Sequence, residues 1–287
     1  MNDGMLLVTP MNQVVELEPG QKCDLSIVVL NPNNSTESFK YKAYAVPYSV
    51  VSEKYNADVV TKTNYTQMAD WITIHEPTGT LMPNEAKELS FTIEVPENAP
   101  GGGQYAAIAV EVDNENEAGD NTAMVDNTLE IASVVYAKVA GETVHKGEIL
   151  ENNVPVFSAA VPVTVSSLVE NKGNIHESVR IVVTASNFFT GDVVVQENMS
   201  NGSYAELVMP ESKRFFTKEI DGLPLVGVFR VKQDIYYNNA VSTVERDVLV
   251  CPIWFMIMVI LAIGGIVFEV VRIILKHRRK RYNSRRK

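Results

Sequence analysis

A few stretches of this chain hold residue types whose spacing could do chemistry. Asp113-Asn114-Glu115-Asn116-Glu117-Ala118-Gly119-Asp120 crowds oxygen donors as a calcium loop would. Glycine is absent from its sixth position, however, and no bidentate Glu closes it at EF-hand spacing, so a solvated hairpin loop is the simpler reading. Pro100-Gly101-Gly102-Gly103-Gln104-Tyr105 could let a ligand approach bare backbone, or could simply permit positive φ in a turn feeding a strand. No helix pattern follows it, which excludes a phosphate loop. Trp71, ahead of the last apolar segment, could stack on a sugar ring; beside Ile72 and Ile74 it could equally be a core residue of a strand. The candidate ligand-binding residues are therefore Trp71, Gly101, Gly102, Gly103, Gln104 and Tyr105. His75, His145 and His176 are isolated in sequence, and the nucleophile-elbow, Ser-x-x-Lys, zincin and Walker patterns are all missing. No enzyme, metal or cofactor is expected.

Charge divides the chain. From residue 248 onward nine Lys and Arg face the single acid Glu269, a balance of +8 that leaves −18 for the preceding residues out of a total of −10. So acidic a main body argues against nucleic acid as a partner. The two cysteines cannot pair: Cys251 opens the apolar segment, and Cys23 alternates with Leu25, Ile27 and Val29 on one strand face, as a small core residue would. Stability must come from packing without disulfides.

Val248 to Phe268 is 21 residues without a charge, about 31 Å of helix at about 1.5 Å per residue and enough to cross a bilayer. Pro252 lies in its first turn and Trp254 near one end. Lys276, Arg278, Arg279, Lys280 and Arg281 follow the other end, an arrangement expected to contact lipid and hold the C-terminus in the cytoplasm. Residues 248–275 are thus expected to be a transmembrane helix and 276–287 a basic cytoplasmic tail, in a single-pass plasma-membrane protein with its N-terminal part outside. Residues 1–8 show neither a basic n-region nor an apolar h-region, so a signal peptide is expected to have been removed or lost to a wrong start site. No small-xxx-small pair marks a dimerisation face on the helix.

What must position these residues is β-structure. Leu89, Phe91, Ile93 and Val95 alternate with polar residues, and Val179, Ile181, Val183 and Ala185 sit at the same spacing of two. Two repeats imply two modules. Asn31-x-x-Asn34-x-x-Glu37-Ser38-Phe39 returns 140 residues later as Asn171-x-x-Asn174-x-x-Glu177-Ser178-Val179, and Met82-Pro83 returns 127 residues later as Met209-Pro210. The 13-residue difference is expected to fall around Asn56–Trp71. The fold class is all-β: two tandem immunoglobulin-like sandwiches, residues 1–140 and 141–247, joined by a polar stretch at Gly141–Glu148 and followed by the single helix.

Leu17-Glu18-Pro19-Gly20, Asn31-Pro32, Trp71-Ile72, Leu81-x-Pro83 and Val95-Pro96-x-x-Ala99-Pro100-Gly101 ahead of Tyr105 occur in an order that resembles the WxL-interacting protein family of Gram-positive-type bacteria. The resemblance implies a first module that binds peptidoglycan, a second that contacts a surface or host protein, and a membrane anchor. Leu223-Pro224-Leu225-Val226-Gly227 superficially resembles a sortase signal, but Val226 replaces the threonine that sortase attacks. The expected function is a cell-surface binding or scaffold protein; an accessory single-span subunit of a sensor or secretion assembly is the other reading.

Overall fold

The computed structural model describes residues 6–31, 38–113, 128–198 and 206–284. The acidic 114–120 stretch therefore lies outside the described residues. The strands Gly102–Asp113 and Thr128–Val139 pair antiparallel in register from Gly102↔Val139 to Asp113↔Thr128.

The first sandwich packs a four-stranded sheet on a five-stranded one. In the first sheet the order is Leu7–Thr9, Lys22–Leu30, Ala86–Glu94, Ile72–Ile74; in the second it is Asn12–Leu17, Thr128–Val139, Gly102–Asp113, Phe39–Pro47, Thr78–Leu81. Alternation does the sorting, since a period of two sends every second side chain to the same face. Leu89, Phe91, Ile93 and Val95 are all buried, against Ile108 and Val135 of the facing sheet. Cys23 and Leu25 reach the same core from the edge of their strand.

The second sandwich repeats the plan. A three-stranded sheet, Gly147–Asn153, Val163–Asn171, Lys213–Ile220, faces a five-stranded one, Phe157–Ser158, Ala240–Val250, Gly227–Tyr237, Arg180–Asn187, Val193–Asn198. Val179, Ile181, Val183 and Ala185 are buried with Phe229, Val231 and Ile235. In both sandwiches a strand from the beginning of the module runs parallel to its last strand: Asn12–Leu17 beside Thr128–Val139, and Phe157–Ser158 beside Ala240–Val250. One strand comes earlier than its polar sequence implies: Gly147–Asn153 pairs with Val163–Asn171 across a bulge, and as an edge strand it tolerates Glu148, Glu151 and Asn153 facing water.

The two sequence repeats meet in space as one device. Asn31 and Asn171 are fully buried. Asn31 Nδ2 donates to Met82 O at 3.0 Å, and Asn171 Nδ2 donates to Val208 O and Ile175 O at 2.9 and 2.8 Å. Their backbone N–H groups donate to Glu85 O and Ser212 O, both at 2.9 Å. Between those acceptors lie Pro83-Asn84 and Pro210-Glu211, with Asn84 and Glu211 at φ of 62° and 52°. Each Asn thus pins a proline turn onto the end of a core strand, satisfying carbonyls that would otherwise be buried without partners.

The apolar segment differs from expectation. Val248–Val250 is the end of the last strand, with Val248 and Val250 fully buried in the second core, so the expected 248–275 helix and the 247 module limit are corrected. Pairing with Gly227–Phe229 captures these residues before the helix can, because alternation buries two of the three. The helix runs Ile253–Ser284. Pro252 stands just before it, accepting the N–H groups of Phe255 and Met256, rather than in its first turn. The part long and apolar enough to cross a membrane is Ile253–Lys276, 24 residues whose most apolar stretch has no residue buried inside the protein.

Replacing Asn171 by Ala is expected to cost about 3 kcal/mol, because it leaves two buried carbonyls and the Gly173 N–H unpaired, whereas exposed Asn153→Ala stays within about 0.5 kcal/mol. Urea unfolding of the full chain in detergent checks the difference.

Candidate functional site

The Gly101–Tyr105 segment lies where the two modules meet. Gly103 N–H donates to Asn174 O at 2.7 Å, and Asn174 Nδ2 donates to Gly101 O at 3.1 Å and Glu142 O at 2.8 Å. Asn174 Oδ1 accepts Val144 N–H at 2.7 Å, so one side chain gathers the first module, the linker and the second module. Gly102 has φ +111°, and a Cβ there would come within 2.7 Å of Asn174, so this position needs glycine on both counts. Gly101 packs on the backbone of Gly141, where a Cβ would stand 2.8 Å from its Cα.

Behind this turn is an aromatic cluster. Tyr105, 1% exposed, accepts His176 N–H at 2.8 Å, and its hydroxyl lies 3.0 Å from His176 Nδ1. Tyr105, Tyr136 and His176 meet edge to face at centroid separations of 5.6 to 5.8 Å, and Tyr48 adds a fourth ring 6.1 Å from Tyr136. Such pairs add about 0.5–1.5 kcal/mol each beyond their buried area.

A hairpin of the first module, Ser49–Val51 with Asn56–Asp58, reaches over to the second. Tyr55 at its turn accepts the Met209 N–H, and its hydroxyl lies 3.3 Å from Ser212 Oγ. The Arg214 guanidinium lies 4.2 Å from the centre of the Tyr55 ring and 4.9 Å from that of Phe216. Phe215 N–H donates to Glu53 O at 2.8 Å. The hairpin and the following 3₁₀ turn, Gln67–Trp71, fill the stretch expected to hold the extra residues.

Burial pushes the Tyr105 and Tyr55 hydroxyls up, and burial with Glu211 nearby raises Tyr65 to about 12. All three stay protonated at neutral pH and supply neither nucleophile nor base. His176 is held below its ordinary value by burial and is a neutral hydrogen-bonding ring at pH 7. This is the chemistry of a structural joint.

The other expected residues are dispersed. Gly102, Gly103, Gln104 and Tyr105 are buried, so the backbone expected to receive a ligand receives Asn174 instead. Trp71 ends the 3₁₀ turn, half-buried against the first core, rather than lying in a strand. Trp254 and Lys276 are exposed on the helix; Arg278, Arg279, Lys280 and Arg281 continue it, with side chains outside the described residues.

His75 does meet hydroxyls and an acid. Its Nδ1 lies 3.2 Å from Ser90 Oγ and its Nε2 2.9 Å from Thr92 Oγ1, which in turn donates to Asp24 Oδ1 at 2.5 Å. The contacts are exposed on a sheet face, and Asp24 reaches the imidazole only through Thr92. No group of three His, Cys, Asp or Glu able to hold a metal occurs among the described residues. A shallow cleft of about 390 Å³ does occur on the first module, lined by Lys40, Lys42, Thr78, Thr80 and Glu111 over Tyr41 and Gly79.

Of the joint residues, Asn174 was visible as a repeat member. Tyr55, His176 and Arg214 carried no sequence signal, because their partners lie tens to more than a hundred positions away.

No protein-family model matches the chain, and no curated protein does. Among solved structures it is similar to a chaperone–tip adhesin complex of CFA/I fimbriae biogenesis, at 13% identity over 84% of this chain and 98% of that one, with a TM-score of 0.40. The Escherichia coli chaperone DraB gives 12% identity over 85% and 97%, with a TM-score of 0.39. The Salmonella enterica SafA pilin in complex with the SafB chaperone gives 10% over 87% and 98%, with a TM-score of 0.41. At that level of similarity nothing about binding transfers to this chain.

Acid tests the joint. Below the ordinary histidine value of 6.5 the unfolded chain takes up a proton that folded His176 refuses, so stability falls as pH drops through that window. Between about pH 7.5 and about pH 5.5 the unaltered chain is expected to lose more thermal stability than His176→Gln, with the difference between the two curves flat above about pH 7.

Proposed function

We propose that this chain is a single-span cell-surface binding and scaffold protein, with both sandwiches outside the plasma membrane and the basic tail in the cytoplasm. The observation that carries this reading is continuity: two sandwiches tied by one joint lead, through only Cys251 and Pro252, into a helix whose most apolar stretch has no residue buried inside the protein. The balance of +8 after residue 247 supports the orientation, because positive flanks stay on the cytoplasmic side.

The resemblance to the WxL-interacting family supports peptidoglycan or another wall polymer as one partner and a surface or host protein as the other. On the first module the chemistry suited to a wall polymer is the cleft at Lys40, Lys42, Thr78, Thr80 and Glu111. Its ammonium groups suit carboxylates, and its hydroxyls and carboxylate suit sugar hydroxyls.

One observation favours the accessory-subunit reading. From Ile253 to Phe268 the helix has 16 charge-free residues, about 24 Å, so a full span must bring Glu269 and Arg272 toward the membrane, paired at 3.0 Å. Ionisable groups at that depth commonly serve partner helices.

Co-sedimentation of the detergent-solubilised full chain with purified peptidoglycan sacculi tests the first reading. The chain is expected to pellet, and Lys42→Glu to weaken retention roughly tenfold. Equal pelleting of both chains would move the contact off the cleft, and pelleting of neither would remove the wall polymer and leave a protein partner.

A further inference from the structure

The second sandwich has an apolar end, and it is the end from which the helix leaves. The Phe188-Phe189 turn, the Leu225-Val226 segment and the Val156-Phe157 segment come from three separate parts of the chain. Strand pairing brings them to one rim. Asn187 pairs with Phe229, and Phe188 N–H donates to Val228 O at 3.1 Å. Gly227 pairs with Val250, Leu249 pairs with Phe157, and Leu249 N–H donates to Val156 O at 3.0 Å. Ile253 begins the helix three residues after Val250, within about 11 Å of chain.

These side chains are exposed although the turns that hold them are ordered. Phe189 is 80% exposed, Val156 62% and Leu225 61%. Asn187 Oδ1 accepts the N–H groups of Phe189 and Thr190 at 2.9 and 3.2 Å, and Gly191 at φ +77° closes the turn, so Phe189 is held at its tip. Phe188 packs edge-on against Phe189 at 5.2 Å, leaving the outer ring to the surroundings. Leaving an aromatic ring in water at a fixed position forgoes burial that a loop this well built could have supplied.

We infer that this rim is a lipid-contact surface: the three apolar segments rest in the interfacial layer of the bilayer that the helix enters, seating the second sandwich on the membrane. The inference rests on the anchored reading above and adds the surface by which the anchored body meets lipid. The attraction is apolar. Residues 154–162, 187–193 and 221–227 contain no Lys or Arg, and their only charges are Asp192 and Asp221. The one cation against the rim, Arg230, lies 5.3 Å from the Phe188 ring centre and is paired with Asp247 and Glu245 at 3.1 and 3.4 Å, so anionic headgroups gain little there. The segment around Leu223–Gly227, which only superficially resembles a sorting signal, thereby acquires a physical role: Leu223 is buried as its root, while Leu225 and Val226 face outward.

The test uses the full chain in phosphatidylcholine vesicles containing lipid brominated near the headgroup, with Trp fluorescence as the readout. In the unaltered chain Trp254 reports on the helix; in Trp254→Phe combined with Phe189→Trp the turn tip reports instead, and Trp71 gives the same background in both. Because Phe189 is exposed, the exchange should leave folding intact. Quenching of Trp254, together with quenching and a blue shift at position 189 that do not depend on added anionic lipid, is the expected result. Trp254 quenched with position 189 unquenched overturns the lipid rim and leaves the anchor standing; a blue shift without quenching would assign the rim to a second copy of the chain. If neither position is quenched, the anchored reading fails and the rim with it.

Discussion

The contact on which the architecture depends is the one between Tyr105 and the His176 segment, because everything the first sandwich could present is placed through it. Tyr105 is fully buried and its hydroxyl is engaged by both the backbone and the ring of His176, so neither module can turn away without leaving polar groups unpaired in an apolar setting. Asn174 and the Tyr55–Arg214 stack add contacts on either side of it. A short linker alone would limit the angle between modules; these contacts also choose it.

The same economy appears inside each sandwich. A buried asparagine at the end of one core strand holds a proline turn that starts the neighbouring strand, and in the second module that turn carries Met209, which belongs to the joint cluster. The repeat is therefore a folding device first, and the first module's added hairpin uses it as a foothold through Tyr55. Such a route would let two sandwiches of one plan become a single pair with a defined face toward each other.

At the far end of the second sandwich the last strand spends apolar residues on its core that the sequence seemed to assign to the membrane. This shortens the charge-free part of the helix to Ile253–Phe268, just ahead of the Glu269–Arg272 pair, and brings the apolar rim of the sandwich close to the start of the helix. The joint and the second sandwich form a continuous mechanical path from the first module to the apolar helix.

Much of this was legible in the residues. The period-two alternation at Leu89–Val95 and Val179–Ala185 fixed which faces are buried, since strand geometry leaves no other arrangement of those side chains. The Asn and Met-Pro repeats announced two modules, and an uncharged run ahead of a basic cluster announced an apolar helix that could cross a membrane. Other features could be settled only by the tertiary structure. Val248–Val250 satisfies strand and helix patterns alike, and its pairing with Gly227–Phe229 made the choice. Gly101–Tyr105 reads as an open turn until the second module is placed over it, and Phe189, Leu225 and Val156 become neighbours only when strand register brings the three segments to one rim. Local sequence determines which side of a strand is apolar; which surface that side meets depends on partners distant in the chain, and only the folded arrangement supplies them.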